Sequence, residues 1–346
     1  MLFDRLADLS LTVESVDLDL RERDTSSEFV RATTTVALDG EGTTGRGEDV
    51  TYDRDAQHEF VEAGPPDLSG EYTVAEFAEV VAEHDLFPTA PDRAEFRNYR
   101  RWAFESAALD LALRQADTNL ASALDRAYDP VSFVVSTRLG EPPSTDRLKR
   151  LLEISPDLSF KLDPTPDWTA DLAADVADAA TVRILDLKGQ YEGTDVDVPA
   201  DPDLYQLVVD EFPDAVVEDP ALTDETRAVL ADHEDMVSWD HPITGIQSIE
   251  DRPFDPEWLN VKPSRFGSLE SLLDTIEYCL ERDVQLYGGG QFELGVGRGQ
   301  IQALASLCYP DGPNDVAPAG YNDPEPPDEL PASPLEPPAD PVGFGW

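Results

Sequence analysis

Ala215-Val216-Val217-Glu218-Asp219-Pro220 is a short apolar run that stops in two acids and a proline. A proline cannot continue a central strand, so the run reads as a strand buried on both faces that ends at its acids. The same form recurs on either side. Phe160-Lys161-Leu162-Asp163 and Ile184-Leu185-Asp186 come before it, and Ser238-Trp239-Asp240 and Val261-Lys262 come after. Lys161, Asp186, Glu218, Asp240 and Lys262 lie 25, 32, 22 and 22 residues apart, each spacing close to one strand-plus-helix unit. Working outward, strands are predicted at 131–137, 159–162, 182–185, 215–217, 236–239, 258–261 and 284–287, with an eighth around 315–317. A helix fits between the last two of the seven, with Leu269, Leu272, Leu273, Ile276, Cys279 and Leu280 on one face. Alternating strands and helices in this number predict a parallel barrel, and the strand-end side chains then form a ring at its C-terminal mouth.

Upstream the pattern changes. Residues 11–53 alternate apolar and polar positions and include the run Gly40-Glu41-Gly42-Thr43-Thr44-Gly45-Arg46-Gly47, which predicts an antiparallel meander. An amphipathic helix is predicted over 102–115, with apolar residues at 104, 107, 108, 111 and 112. The fold class is therefore α/β: a modified (β/α)7β, TIM-like barrel at 129–322 with an N-terminal α+β capping domain at 1–128. A Pro-rich, acidic arm follows at 323–346, either loose or packed across the cap.

The chain has 346 residues and carries 73 Asp and Glu against 25 Lys and Arg, a net charge of −48, yet 40% of it is hydrophobic. Enough apolar content remains for a folded core, and the acids are dispersed without a block that would mark a tail. Such a coat keeps a protein hydrated in strong salt, where charge repulsion is screened over a few Å, and indicates a halophilic setting. Clustered Lys and Arg are missing, so nucleic acid is excluded as a partner. No apolar run is long enough to span a membrane, and the charged start at Asp4, Arg5 and Asp8 does not read as a signal peptide, so a cytoplasmic protein is expected. Cys279 and Cys308 are read as reduced core thiols. The outer helices of a barrel look the same as an interface, which leaves a homo-oligomer open.

Four lysines are present in all, Lys149, Lys161, Lys188 and Lys262, and three of them fall at or just beyond predicted strand ends. A sequence that excludes lysine from its surface keeps it where it has work inside. Asp186, Glu218 and Asp240 would meet at one rim, where like charges raise one another's pKa. Mg²⁺ relieves that repulsion and prefers oxygen ligands. Lysines beside the acids would do part of the same job.

The order Lys, Asp, Glu, Asp, Lys on successive strands resembles the enolase superfamily, in its muconate-lactonising, mandelate racemase and o-succinylbenzoate synthase branch. The resemblance spans nearly the whole chain. Residues 40–52 are similar to the cap's glycine-rich loop, Ala107-Ala108-Leu109-Asp110-Leu111-Ala112-Leu113 to the helix joining cap and barrel, and Val261-Lys262-Pro263-Ser264-Arg265-Phe266-Gly267 to the sixth-strand lysine motif. It implies that Asp186, Glu218 and Asp240 hold Mg²⁺, that the metal binds the carboxylate of a small substrate, and that a lysine removes the neighbouring α-proton. Lys262 would be that base, or the cation supporting the intermediate, and Lys161 would orient the carboxylate.

Two positions depart from the branch. Where its second strand ends Lys-x-Lys, this chain reads Lys161-Leu162-Asp163, which puts an acid where a base is expected. Where its third strand ends Asp-x-Asn, this chain reads Asp186-Leu187-Lys188, and a lysine so close to the ligands could bind them itself and displace the ion. Three lysines and four acids then nearly balance without metal. A one-base lyase or isomerase reaction such as dehydration or β-elimination is favoured over racemisation, and the alternative is an enolase-like binding protein in which lysines replace the metal.

The segment Gly288-Gly289-Gly290-Gln291-Phe292-Glu293-Leu294-Gly295-Val296-Gly297-Arg298 precedes a predicted helix, and Gln291, Glu293 and Arg298, with Lys188, are the candidates for substrate contact. His241 would face away from Asp240 along a strand, and His58 is read as a surface residue.

Overall fold

The structure is a computed structural model that describes residues 1–27, 29–194 and 196–346. Its first part holds β1 (Ser10–Val13), β2 (Ser15–Asp24), β3 (Val30–Gly40), β4 (Thr43–Asp49) and β5 (Gly70–Thr73). β2, β3 and β4 form the expected antiparallel meander. β1 does not join it: it pairs instead with β5, 57 to 63 residues away along the chain by its register of Val13 with Gly70 and Ser10 with Thr73. That partner is a four-residue strand with no strong apolar alternation, so only the long-range pairing defines it.

The second part holds β6 (Val134–Thr137), β7 (Ser159–Leu162), β8 (Thr181–Asp186), β9 (Val216–Glu218), β10 (Val237–Trp239), β11 (Trp258–Val261) and β12 (Gln285–Gly288). All seven pair in parallel in chain order. The eighth position is filled without a strand. Asn314 bridges Phe133, and Asp315 bridges Gly289, so a two-residue contact links the first strand's side to the last. Asn314 also accepts the Gly288 N–H and donates to three carbonyl oxygens within 3.1 Å, of Ser132, Tyr309 and Gly312.

The helix Phe96–Gln115 is longer than the predicted 102–115 and is buried on every side from Trp102 to Leu113. It is a spine between cap and barrel, not a helix with one wet face. Its polar residues are buried because each is answered: Glu105 accepts from Arg101 and the Leu269 N–H, and Asp110 from Arg114, the Arg46 N–H and the Phe344 N–H. The glycine-rich run packs here. A Cβ on Gly47 would lie 2.0 Å from the Ala103 carbonyl oxygen, and one on Gly45 would lie 2.3 Å from that of Ala107. Gly47→Ala is accordingly expected to cost about 1–3 kcal/mol through overpacking; an unchanged denaturation midpoint would show that β4 can lift from the helix freely.

The C-terminal arm is packed. Leu335 exchanges backbone hydrogen bonds with Val131, Gly343 bonds Thr118 and Leu120, and Phe344 is fully buried against Trp102. Cys279 and Cys308 are free and buried, and burial pushes their thiols up to about 12 and about 11. Among the described residues no helix is long and apolar enough to cross a membrane.

Candidate active site

Parallel register brings the strand ends together. Asp186 at the end of β8 stands opposite Glu218 at the end of β9, and Ser238 of β10 also pairs with Glu218, which sets Asp240 just beyond. Asp186, Glu218 and Asp240 each offer one carboxylate oxygen within 4.8 Å of the others, and all three are buried. The chain kinks left-handed at Asp219, with φ of 50°, and its side chain accepts the N–H groups of Asp240 and His241, both at 2.8 Å. An uncommon backbone conformation of this kind in a non-glycine residue costs on the order of 1–3 kcal/mol and clusters at functional sites. Here it turns Asp240 inward.

Cations interleave the acids. Lys161 reaches from β7 to Glu218 and to Asp186 Oδ2, the latter at 3.1 Å. Lys188 contacts Asp186 Oδ2 and lies 3.6 Å from Asp163 Oδ1. Lys262 and Arg265 share Asp240 Oδ2, at 2.8 and 3.3 Å, and Tyr191 donates to the same oxygen at 2.9 Å. Glu218 Oε2 accepts from Asn260 at 3.0 Å and from Tyr287. Burial pushes the Glu218 carboxyl up to about 8 despite Lys161, and the Asp219 carboxyl up to about 7, whereas the Asp186 and Asp240 carboxyls are held below the usual range by their cations.

Above this ring lies a cavity of about 470 Å³ between cap and barrel. Lys161, Asp163, Lys188, Lys262 and Gln291 line it. Glu293 and Arg298 do not. They pair with each other at 2.9 Å behind the loop, where Glu293 also accepts the Gln291 N–H, so they brace Gln291 and leave the cavity to it. His241 does line the cavity, contrary to strand alternation, because β10 ends at Trp239 and the turn held by Asp219 replaces the pleat. Its Nδ1 accepts from Arg265 at 2.8 Å, its ring stacks on Tyr191 at 4.3 Å, and burial pushes it down to about 4, so it is neutral.

The sequence did not single out Arg265, Tyr191 and Asp315, nor the aromatic wall of Phe29, Tyr52 and Phe292, in which the Phe29 and Phe292 rings meet edge-on at 5.5 Å. Arg265 stood inside a quoted motif, and its signal was a second cation three residues after the strand-end lysine. The wall comes from three distant segments and leaves no local trace.

The charge count changes with these additions. Asp163, Asp186, Glu218, Asp219, Asp240 and Asp315 face Lys161, Lys188, Lys262, Arg265 and Arg138, six carboxyl groups against five cations. The near balance of three lysines and four acids is kept, with one acid in excess in both counts, and burial raises two of the six carboxyls, Glu218 and Asp219. Among the described residues Asp240 Oδ1 is buried without a hydrogen-bond partner. An all-oxygen donor set of three buried carboxylates and an unanswered carboxylate oxygen fit a divalent cation of the Mg²⁺ kind.

A cap of antiparallel strands over a parallel barrel is a fold shared with solved members of the enolase superfamily. The chain aligns with a member of that superfamily from Listeria innocua over 90% of its own length and 86% of the other's, with a TM-score of 0.64 and 16% identity. It aligns with muconate cycloisomerase from Pseudomonas fluorescens over 89% and 87%, with a TM-score of 0.62 and 15% identity. At the sequence level it is 27% identical over 220 residues to o-succinylbenzoate synthase of Bacillus subtilis, covering 62% of this chain and 57% of that protein. The chain thus spans less than two thirds of that relative's length. It belongs to the family described as Domain of unknown function (DUF8230), whose C-terminal domain matches residues 127–323 and whose N-terminal domain matches residues 4–123.

Proposed function

We propose that this chain is a Mg²⁺-dependent lyase or isomerase that removes the α-proton of a small carboxylate, by dehydration or β-elimination in preference to racemisation. The observation that carries this reading is the buried triad of Asp186, Glu218 and Asp240 beneath a cavity lined by three of the chain's four lysines. Relatives named as a synthase and a cycloisomerase support the lyase and isomerase classes. The cap is taken as residues 1–128, the barrel as 129–322 and the arm as 323–346, in a cytoplasmic protein that works in concentrated salt.

Asp186, Glu218 and Asp240 would hold the ion, which when bound supplies positive charge to the substrate carboxylate and to the enediolate formed from it. Lys161 and Lys188 attract the carboxylate into the cavity. Lys262 stands on the wall formed by β11 and, once its ammonium has given a proton to solvent, takes the α-proton at its Nζ. Asp163, paired with Lys188, stands where a second lysine base would be needed for racemisation, and this favours a one-base reaction. Gln291, tied to the Tyr99 hydroxyl at 3.3 Å, fixes the loop over the substrate. Glu293 and Arg298 act by holding that loop.

Mg²⁺ titration by calorimetry in concentrated KCl tests the reading. The wild type is expected to bind in the micromolar-to-millimolar range typical of carboxylate sites, roughly 10⁻⁶ to 10⁻³ M, and Glu218→Gln to abolish binding. If the wild type takes up no Mg²⁺, the lysines fill the ion's place and the second reading, an enolase-like binding protein, replaces the first.

A further inference from the structure

Lys188 is bound to two carboxylates that belong to different strands. It follows β8 with a left-handed backbone, φ of 55°, and donates its own N–H to Asp186 Oδ1 at 3.1 Å while its ammonium contacts Asp186 Oδ2. Both oxygens of Asp186 are thus engaged by one residue. Lys161 meets Asp186 Oδ2 as well, at 3.1 Å, but it also binds Glu218 and is almost completely buried. Lys188 has somewhere else to go. Asp163 Oδ1 lies 3.6 Å from its Nζ, on the cavity wall, while Arg138 pairs with Asp163 Oδ2 at 3.5 Å. The side chains of Lys188 and Asp163 are 15% and 17% exposed, whereas Asp186 is sealed, so the ammonium can swing between the two acids within the cavity.

We propose that Lys188 is a tethered internal competitor for the divalent ion: it holds Asp186 until the ion binds and then moves to Asp163, where its ammonium faces the substrate carboxylate. The left-handed backbone fits this role, because it aims a long side chain back over the acid two residues earlier. An ion that seats on Asp186 has to displace a cation already there, and part of that cost is recovered when the ammonium reaches Asp163. Metal loading and the placing of a cation for the substrate become one event. This inference rests on the divalent-ion reading of the site.

The test is the same Mg²⁺ titration on the full chain, with Lys188→Met, Lys188→Asn and Asp163→Asn beside the wild type and Glu218→Gln. Asparagine tolerates left-handed backbone, so the second variant covers the case in which methionine disturbs folding. Both Lys188 variants are expected to bind Mg²⁺ at least about tenfold more tightly than the wild type, the order of a single close charge pair's coupling. Asp163→Asn is expected to bind several-fold more weakly, because the displaced ammonium has lost its second station. If the wild type binds, Glu218→Gln does not, and the Lys188 variants are no tighter, the inference fails while the metal reading stands. Unchanged affinity in Asp163→Asn removes the second station. No binding by any of these proteins overturns the metal reading and this inference together.

Discussion

Lys262→Ala is expected to lower turnover about a thousandfold or more on any acid whose α-proton the wild type exchanges in D₂O with Mg²⁺, the range for loss of a positioned general base. Lys262 donates to Asp240 Oδ2 at 2.8 Å from the far side of the ring, with its ammonium on the cavity wall. Its removal leaves Asp240 with Arg265 and Tyr191 on the same oxygen, so the ring keeps its shape and folding should be little affected. Lys262→Arg separates charge from proton transfer. A guanidinium keeps the positive charge but stays protonated, so this variant should retain Mg²⁺ binding and substrate affinity while turnover falls as far as in Lys262→Ala. Turnover within a few-fold of wild type in both variants would remove Lys262 from the reaction as its base.

The ring was legible in the sequence because barrel geometry converts spacing into position. Lys161, Asp186, Glu218, Asp240 and Lys262 each follow an apolar strand at an interval close to one repeat unit, and parallel pairing in chain order does the rest. What the spacing could not carry is anything decided after the strand ends. His241 faces the cavity through the turn that Asp219 holds, where the two-residue alternation of a strand no longer applies. Glu293 and Arg298 looked like contacts because they sit in a glycine-rich loop, and they became partners because the loop folds back on itself. The eighth barrel position was expected as a strand at 315–317 and is met by Asn314 and Asp315 through side-chain and single-bridge contacts, which have no periodic signature. Asp219 and Asp315 entered the charge count for the same reason: each is one of 73 acids in the chain until the fold brings it to the ring.

Arg100→Met should be the most damaging change to stability outside the barrel ring, at about 3–5 kcal/mol, because it strands a buried carboxylate. Arg100 and Asp49 are both fully buried and meet at 2.7 Å, joining the spine helix to the end of β4. The guanidinium also donates to the carbonyl oxygens of Leu86 and Ala56, at 3.0 and 3.1 Å, and lies 3.7 Å from the Phe87 ring centroid and 4.0 Å from that of Phe60. Asp49 spends its other oxygen on the Thr51 N–H and hydroxyl, which fixes the residue before Tyr52 on the cavity wall. Methionine fills much of the space between the rings but answers none of these oxygens. Adding Asp49→Asn removes the stranded charge while keeping an acceptor for Thr51, so the double variant is expected to be more stable than Arg100→Met alone. Chemical denaturation of the four proteins gives the coupling directly. If the double variant is instead less stable by the sum of the two single losses, the pair does not act as a unit, and the cap is held on the spine by its apolar contacts and by Gly45 and Gly47.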